Sequence, residues 1–223
     1  LLLGLVPEDS ILLVMDFFIL FKTGLAGMTC AFYLSRHFHT NSLSASAFAV
    51  FYGLSSYMAA FSWNLMWLDC MVLLPLIILG LEALVKEKKY KLYTISLGIA
   101  IFSNYYIAIM ICIFVVLYFI VQLFLYVKEE KHYFLDRIIR FAVFSCIAGG
   151  IGAVMILPEI YALGYTVSGE FNFPETWVNY FSILDMLQRS LIEVPVAIFE
   201  AHDPNVYCTV AVFLFLPLYC LCD

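Results

Sequence analysis

The stretch LYTISLGIAIFSNYYIAIMICIFVVLYFIVQLFLYV, residues 92–127, contains no charged side chain. As a single α-helix it would be ~54 Å long, at ~1.5 Å per residue. The hydrocarbon core of a bilayer is only ~30 Å thick, so one straight helix does not fit this run. The polar break Ser103-Asn104, followed by Tyr105 and Tyr106, divides it in two. The stretch therefore predicts a hairpin of two membrane-spanning helices with its tip at residues 103–106.

The composition of the whole chain agrees with a membrane protein. Of the 223 residues, 65% are hydrophobic and 13% are charged, and the mean hydropathy is +1.00. A soluble domain of this size needs a larger polar fraction to cover its surface. No basic run with interleaved aromatic residues suggests nucleic-acid binding. The fold class predicted is all-α, a polytopic transmembrane helix bundle in contact with the lipid bilayer.

The positions of the charges predict the topology. Three basic clusters hold every lysine and arginine except Lys22 and Arg189. Positive residues prefer the cytoplasmic side, so an even number of crossings must join consecutive clusters. Seven crossings result, with the N-terminus outside. The apolar stretches are 11–34, 43–61, 70–85, 92–103, 105–127, 141–163 and 206–221, and the clusters are Arg36 with His37 and His39, Lys86 with Lys88, Lys89 and Lys91, and Lys128 with Lys131, Arg137 and Arg140.

The predicted outer face is acidic. It contains the tips 62–69 and 103–106 and the longest polar stretch, 164–205, within which 176–198 has the periodicity of a short helix on the membrane surface. Arg189 is its single cation, against the acids Glu8, Asp9, Asp69, Glu170, Glu175, Asp185, Glu193, Glu200 and Asp203. The chain is expected to be one transmembrane domain over 1–223, with 164–205 as an external loop. Its first residue is Leu1 and it stops directly after an apolar run, so we expect it to be a segment of a longer protein.

Both predicted tips carry candidate binding residues. In SWNLMWLD (62–69), Trp63 and Trp67 fit an interfacial aromatic belt. Such a belt does not explain Asn64 or the carboxylate of Asp69. In SNYY (103–106), Asn104 breaks the helix, and the two tyrosines, Tyr105 and Tyr106, either anchor it or bind a ligand. Both interpretations stay open for each tip. The candidate substrate-binding residues are Trp63, Asn64, Trp67, Asn104, Tyr105, Tyr106 and Lys22, and Asp69 is the candidate for a supporting catalytic role.

Two ionisable residues lie inside the first apolar stretch. Ionisable side chains at membrane depth are costly and mark either a functional site or a buried pair. The six positions between Asp16 and Lys22 put them about 120° apart and ~9 Å along a helix, so they are poorly placed to pair with each other. Lys22 therefore needs a partner on another helix or an anionic ligand.

No other motif indicates a cofactor or a known catalytic site. The seven cysteines lie mostly in apolar runs without ligand spacing, and we interpret them as small apolar residues. The four histidines show no metal-ligand spacing; His37, His39 and His132 are expected to be hydrated. No nucleophile elbow, P-loop, dinucleotide fingerprint or zincin motif is present. No bound cofactor is indicated, and the need for a divalent metal is left open.

Several stretches resemble the YfhO family of bacterial membrane proteins. They are FKTGLAGMT (21–29), YGLSSYMAAFSWNLMWLD (52–69), LLPLIILGLE (73–82), SNYYIAIMICIF (103–114) and PNVYCTVAVFLFLPLY (204–219). Their order and spacing extend the resemblance over essentially the whole chain. SWNLMWLD and SNYY are the most specific of these pieces.

The resemblance implies an activity and a location. YfhO-like proteins are similar to the GT-C superfamily of integral membrane glycosyltransferases. These enzymes take a sugar from a polyprenyl-phosphate carrier, here for a cell-envelope polymer of the teichoic-acid type, at the outer face of the bacterial cytoplasmic membrane. The usual catalytic acid of the superfamily follows the first span and would precede Leu1. The full-length protein is therefore expected to be an enzyme, and this segment alone to be inactive.

Two other functions fit the same residues. In a transporter or flippase of a lipid-linked precursor, Asp16 and Lys22 would line the pathway. In a non-catalytic membrane scaffold, both tips could be replaced without loss of function. The sequence leaves open which sugar and acceptor are used, the linkage stereochemistry and the oligomeric state.

Overall fold

The helices of the chain are broken where polar residues interrupt the apolar runs. A computed structural model describes residues 7–125 and 133–165, together with the isolated residues 182, 184, 188, 215, 217–219 and 221. The regular structure of these residues is helical, which confirms the all-α fold class. After a short 3₁₀ turn at Glu8–Ser10 the helices are α1 Ile11–Phe38, α2 Leu43–Gly53, α3 Ser56–Ala60, α4 Leu65–Glu87, α5 Lys91–Ser103, α6 Tyr105–Leu125 and α7 Tyr133–Leu163.

Five segments of the described chain are long and apolar enough to cross a membrane. They are Ile11–Phe38, Leu43–Ala60, Leu65–Glu87, Tyr105–Leu125 and Tyr133–Leu163. The predicted crossing at 92–103 is shorter than expected, because α5 has 13 residues and is only ~20 Å long. The predicted external loop and last span, 164–205 and 206–221, fall almost entirely outside the described residues.

The helix break predicted in the opening stretch is confirmed, and the turn between α5 and α6 is a single residue. Asn104 leaves the helical conformation between α5 and α6. Its side-chain Oδ1 accepts a hydrogen bond from the backbone N–H of Ile107 at 2.9 Å. This is the bond of an N-cap residue, and it satisfies one of the free amide groups at the start of α6.

The apolar stretch 43–61 and the tip that follows it, predicted at 62–69, both differ from the prediction. The turn before α4 comprises only residues 61–64, so Trp67 and Asp69 lie in the first turns of α4 and not in a loop. Leu65 and Met66 are strong helix formers, so α4 already begins at Leu65. The apolar stretch before this turn, 43–61, is also broken in two, because Ser55 is extended between α2 and α3.

The core of the bundle lies where α4 and α5 meet. α1 and α4 run parallel and are neighbours, and α5 packs between α4 and α7. Gly80 lets α5 approach α4 closely: a β-carbon there would lie 2.6 Å from the Cα of Tyr93 on α5. The Tyr93 side chain is fully buried, and its hydroxyl shares a hydrogen bond with that of Ser145 on α7 at 2.7 Å.

Proline 75 interrupts the hydrogen bonds of α4, and another helix compensates. Proline has no backbone N–H, so the carbonyl of Met71, four residues earlier, loses its helical partner. The Tyr52 hydroxyl of α2 donates to that carbonyl at 2.6 Å. Inside a membrane, a carbonyl that proline leaves without a helical donor needs a hydrogen bond from a neighbouring group.

The two ends of the bundle are chemically different. We call the end at which α4 and α6 begin the aromatic end, because Trp63, Trp67 and Tyr106 lie there. We call the opposite end, where α4 ends and α5 begins, the basic end. Its charged side chains include Lys86, Lys88, Arg137 and Arg140.

Candidate functional site

An ion pair between two helices marks the aromatic end. The ammonium of Lys22 on α1 lies 2.7 Å from Oδ1 of Asp69 on α4 and donates a hydrogen bond to the carbonyl of Leu65 at 3.0 Å. Lys22 was expected to need either a partner on another helix or an anionic ligand, and the structure gives it the first of these. Asp69 follows Leu65, the first residue of α4, by four positions. The pair therefore lies ~6 Å inside the start of α4, and α1 continues ~16 Å beyond it.

The pair is not closed off from its surroundings. The side chain of Lys22 is 17% exposed and that of Asp69 is 39% exposed. Two of the three ammonium protons of Lys22 are used by Asp69 and Leu65, so one donor remains. A carboxylate and an ammonium of this accessibility can both reach a polar ligand that approaches the aromatic end.

Aromatic rings form a continuous surface in the same region. The Trp67 ring stacks on Tyr106 at 5.9 Å between centroids, and it also contacts Phe61 at 5.2 Å and Trp63 at 6.4 Å. Trp63 and Tyr106 are 55% and 48% exposed. Trp67 and Asp69 both lie at this end of α4, but residues two positions apart on a helix point about 200° apart. Asp69 therefore faces α1, and Trp67 faces α6.

The remaining candidates are placed less uniformly. Asn64 occupies the N-cap position of α4 without a side-chain capping bond and is half-buried. Asn104 uses its oxygen as a helix cap, which leaves its NH₂ group as a donor. Tyr105 is turned away from this cluster and lines a separate groove between α6 and α7. The structure therefore pairs Lys22 with Asp69, groups Trp63, Trp67 and Tyr106 in an aromatic cluster at the same end of the bundle, and places Tyr105 apart.

Asp16 does not join the cluster. Its side chain is exposed on α1 and makes no ion pair or hydrogen bond with any residue that the structure describes. Among the residues that the structure describes, no group of three or more histidine, cysteine, aspartate and glutamate side chains could hold a metal ion.

A second polar cluster, at the basic end, was missed in the sequence. Glu82 of α4 has a side chain only 4% exposed and accepts hydrogen bonds from four side chains. The donors are the hydroxyl of Tyr118 at 2.8 Å, Nδ1 of His37 at 2.9 Å, Nζ of Lys86 at 3.0 Å and the hydroxyl of Tyr33 at 3.2 Å. We call these five residues the Glu82 network, and it connects α1, α4 and α6.

The network corrects the expectation that His37 is hydrated. A buried carboxylate is tolerated only when it is paired and its oxygens are hydrogen-bonded, and His37 supplies one of those bonds. The signal was present in LLPLIILGLE (73–82), where Glu82 lies inside an apolar run as Lys22 does. The rule that ionisable residues at membrane depth need partners applies to both.

Comparisons with known proteins agree with this architecture. The family model described as "Bacterial membrane protein YfhO" matches residues 1–223. The "Uncharacterized protein YfhO" of Bacillus subtilis (strain 168) is 28% identical over 131 residues, which are 58% of this chain and 15% of that protein. The chain thus corresponds to a small part of that relative. No solved structure matches. Because the family model covers every residue, the chain belongs to the YfhO family of bacterial membrane proteins.

Proposed function

We propose that the chain is part of an integral membrane glycosyltransferase that moves a sugar from a polyprenyl-phosphate carrier to a cell-envelope polymer of the teichoic-acid type. The observation that carries the proposal is the Lys22–Asp69 pair, which lies at the same end of the bundle as the stacked rings of Trp67 and Tyr106. A cation, a carboxylate and aromatic rings at one end of the bundle match the three parts of such a donor. These parts are a phosphate, sugar hydroxyls and a sugar ring.

The aromatic end faces outward in this proposal. The basic end carries the lysines and arginines that prefer the cytoplasm, including Lys86, Lys88 and Arg137. Outside the cell no nucleotide sugar is available from the cytosol, so a lipid-carried donor is the natural source. The protein is then a multi-pass protein of the bacterial cytoplasmic membrane, with its active face outside.

Lys22 has the role of stabilising the leaving group. In the reaction an acceptor oxygen bonds to C1 of the sugar while the bond from C1 to the phosphate oxygen breaks, and the polyprenyl phosphate departs. Negative charge grows on that phosphate, and a fixed ammonium lowers the barrier by stabilising it. The remaining N–H of Lys22 donates to the phosphate while Asp69 holds the ammonium in place.

Asp69 and the aromatic residues position the sugar. Asp69 accepts hydrogen bonds from sugar hydroxyls, and the amides of Asn64 and Asn104 donate to others. The faces of Trp63, Trp67 and Tyr106 provide apolar surfaces on which the C–H side of a sugar ring packs. The acceptor proton passes to an ionised carboxylate that acts as general base, which the resemblance to GT-C enzymes implies lies outside this segment. Asp69 is therefore a positioning residue for the proton transfer and a contact for the sugar.

Sugar transfer by the full-length protein tests the proposal. We would reconstitute it with a radiolabelled polyprenyl-phosphate sugar and the polymer acceptor, and compare the native protein with Asp69→Asn. This change keeps the shape of the side chain and removes its charge. We expect a loss of roughly 10²-fold if correct proton transfer depends on it, with normal membrane insertion. Near-normal transfer by Asp69→Asn would contradict the role of this site. Normal translocation of the lipid with no transfer even by the native protein would favour a flippase.

A further inference from the structure

One face of the α1–α2 pair contains two adjoining cavities. The first is an apolar groove between the two helices, with a volume of about 420 Å³. The second is a pocket of about 500 Å³ with mainly polar walls, where α1 ends. One row of α1 residues begins in the groove and ends in the pocket, namely Gly24, Met28, Phe32 and Arg36. Residues four positions apart lie on the same side of a helix, so the polar pocket continues the groove toward the basic end.

The groove contains space that the packing of α1 on α2 does not use. A β-carbon added to Gly53 would lie 3.1 Å from the backbone carbonyl of Thr23, so the two helices touch there. A β-carbon added to Gly24 would meet no atom within 4 Å. Met28 and Leu54, which both line the groove, are each 68% exposed. Because both segments are long and apolar enough to span a membrane, the groove opens into hydrocarbon and suits an apolar chain.

The polar pocket offers a positive charge that has no partner in the described chain. Its lining includes Arg36 and His39 but no aspartate or glutamate. The guanidinium of Arg36 lies 5.3 Å from the centroid of the Phe32 ring. Among the residues that the structure describes, none forms an ion pair or hydrogen bond with it. The ring thus holds the cation without using any of its five N–H donors.

The turn after α1 adds further donors to this pocket. The carbonyl of Ser35 accepts hydrogen bonds from the backbone N–H groups of His39 and Thr40, which fixes the turn. The Ser35 hydroxyl donates to Oδ1 of Asn41 at 2.6 Å. With its oxygen occupied, Asn41 has its NH₂ group left as a donor. A pocket of donors around an arginine is complementary to an anion with several acceptor oxygens, and a phosphate is such a group.

We propose that this face of α1 and α2 binds an anionic phospholipid, with an acyl chain in the apolar groove and the phosphate hydrogen-bonded to Arg36 in the polar pocket. Charge favours this occupant over a further membrane-spanning helix. Such a helix would bring to the basic end the lysines and arginines that collect on one side of a membrane, and these would repel Arg36. The proposal does not depend on the proposed glycosyltransferase activity, because it involves neither Lys22 nor Asp69.

Photolabelling in nanodiscs tests the proposal on the full-length protein. We would compare a photoactivatable phosphatidylglycerol with a phosphatidylcholine that carries the same diazirine chain. Both have a phosphodiester, and they differ in net charge. One arginine beside an anionic lipid contributes enough to change binding about fivefold. We therefore expect phosphatidylglycerol to label peptides from 23–31 and 46–54 about fivefold more than phosphatidylcholine does.

Two variants, each with a matched control, separate the pocket from the groove. Arg36→Gln should remove the preference between the lipids while both still label. Lys91→Gln removes another exposed cation of the basic end that lies outside both cavities, and the preference should persist. Gly24→Phe should fill the free space and reduce labelling by both lipids. Gly149→Phe is its control on α7, because a β-carbon there also meets no atom within 4 Å, and labelling should stay native.

Several results would overturn the proposal. Equal labelling of the native protein by the two lipids would do so, as would an unchanged preference in Arg36→Gln or native labelling in Gly24→Phe. Loss of the preference in Lys91→Gln would mean that the basic end attracts anionic lipids only as a whole. Absence of labelling by either lipid is the result expected if another helix of the full-length protein fills the groove, and it would also contradict the proposal.

Discussion

Of the polar contacts that the structure describes, loss of those in the Glu82 network should lower the free energy of unfolding most. We consider Glu82→Gln, which keeps the size of the side chain and removes its charge. The carboxylate accepts four hydrogen bonds, two of them from His37 and Lys86. The glutamine oxygen can accept only some of them, and the new NH₂ group faces donors. Breaking a buried charged pair costs ~3–5 kcal/mol, so we expect a loss of that size in the free energy of unfolding.

Glu87 provides the control on the same helix. It pairs with Lys89 at 2.6 Å, but the two side chains are 54% and 77% exposed. Exposed ion pairs contribute little because water screens them, so Glu87→Gln should unfold close to the native midpoint. Purified full-length protein would be unfolded by increasing the mole fraction of SDS in mixed micelles, with helicity followed by circular dichroism. Equal midpoints for Glu82→Gln and Glu87→Gln would refute the argument.

Two further predictions follow from the packing and the charges. Tyr52→Phe should lower the free energy of unfolding by ~1–3 kcal/mol, because the Met71 carbonyl, which Pro75 leaves without a helical donor, then loses the Tyr52 hydroxyl as well. Tyr90→Phe is the control and should change the free energy of unfolding little, because the Tyr90 hydroxyl bonds no described residue. Equal losses for the two variants in the same SDS titration would contradict the prediction. In a protein without native cysteines, Ser62→Cys should react with an impermeant maleimide added outside the cell, and Lys89→Cys only after permeabilisation. The opposite pattern would reverse the proposed orientation.

The sequence predicts the helices best where a polar residue stands alone in an apolar run. Asn104 was identifiable as the hairpin turn because it interrupts a stretch too long for one crossing, and it also caps the following helix. The boundary before α4 was not identifiable in this way. Trp67 and Asp69 look like loop residues by composition, but the helix formers around them extend α4 to Leu65. Helix ends depend on such small differences in propensity.

The candidate site was predictable as a set of residue types and less so as an arrangement. The depth of Lys22 in an apolar run required an anionic partner, yet nothing in the sequence identified Asp69 as that partner. Their contact depends on α1 and α4 being parallel neighbours, which is a property of the packed bundle. Tyr105 and Tyr106 are adjacent in sequence, but successive helical positions point about 100° apart. Only Tyr106 therefore joins the tryptophans.

The central claim is that Lys22 and Asp69 form a functional site and not only a structural pair. A double variant, Lys22→Asp with Asp69→Lys, tests this most directly, because it keeps an ion pair between α1 and α4 but exchanges the positions of the two charges. We expect the double variant of the full-length protein to insert and unfold like the native protein. Its rate of sugar transfer from the polyprenyl-phosphate donor should nevertheless be roughly 10²-fold lower. Transfer at the native rate by this well-folded variant would show that the pair serves only to hold the helices together, and would contradict the account.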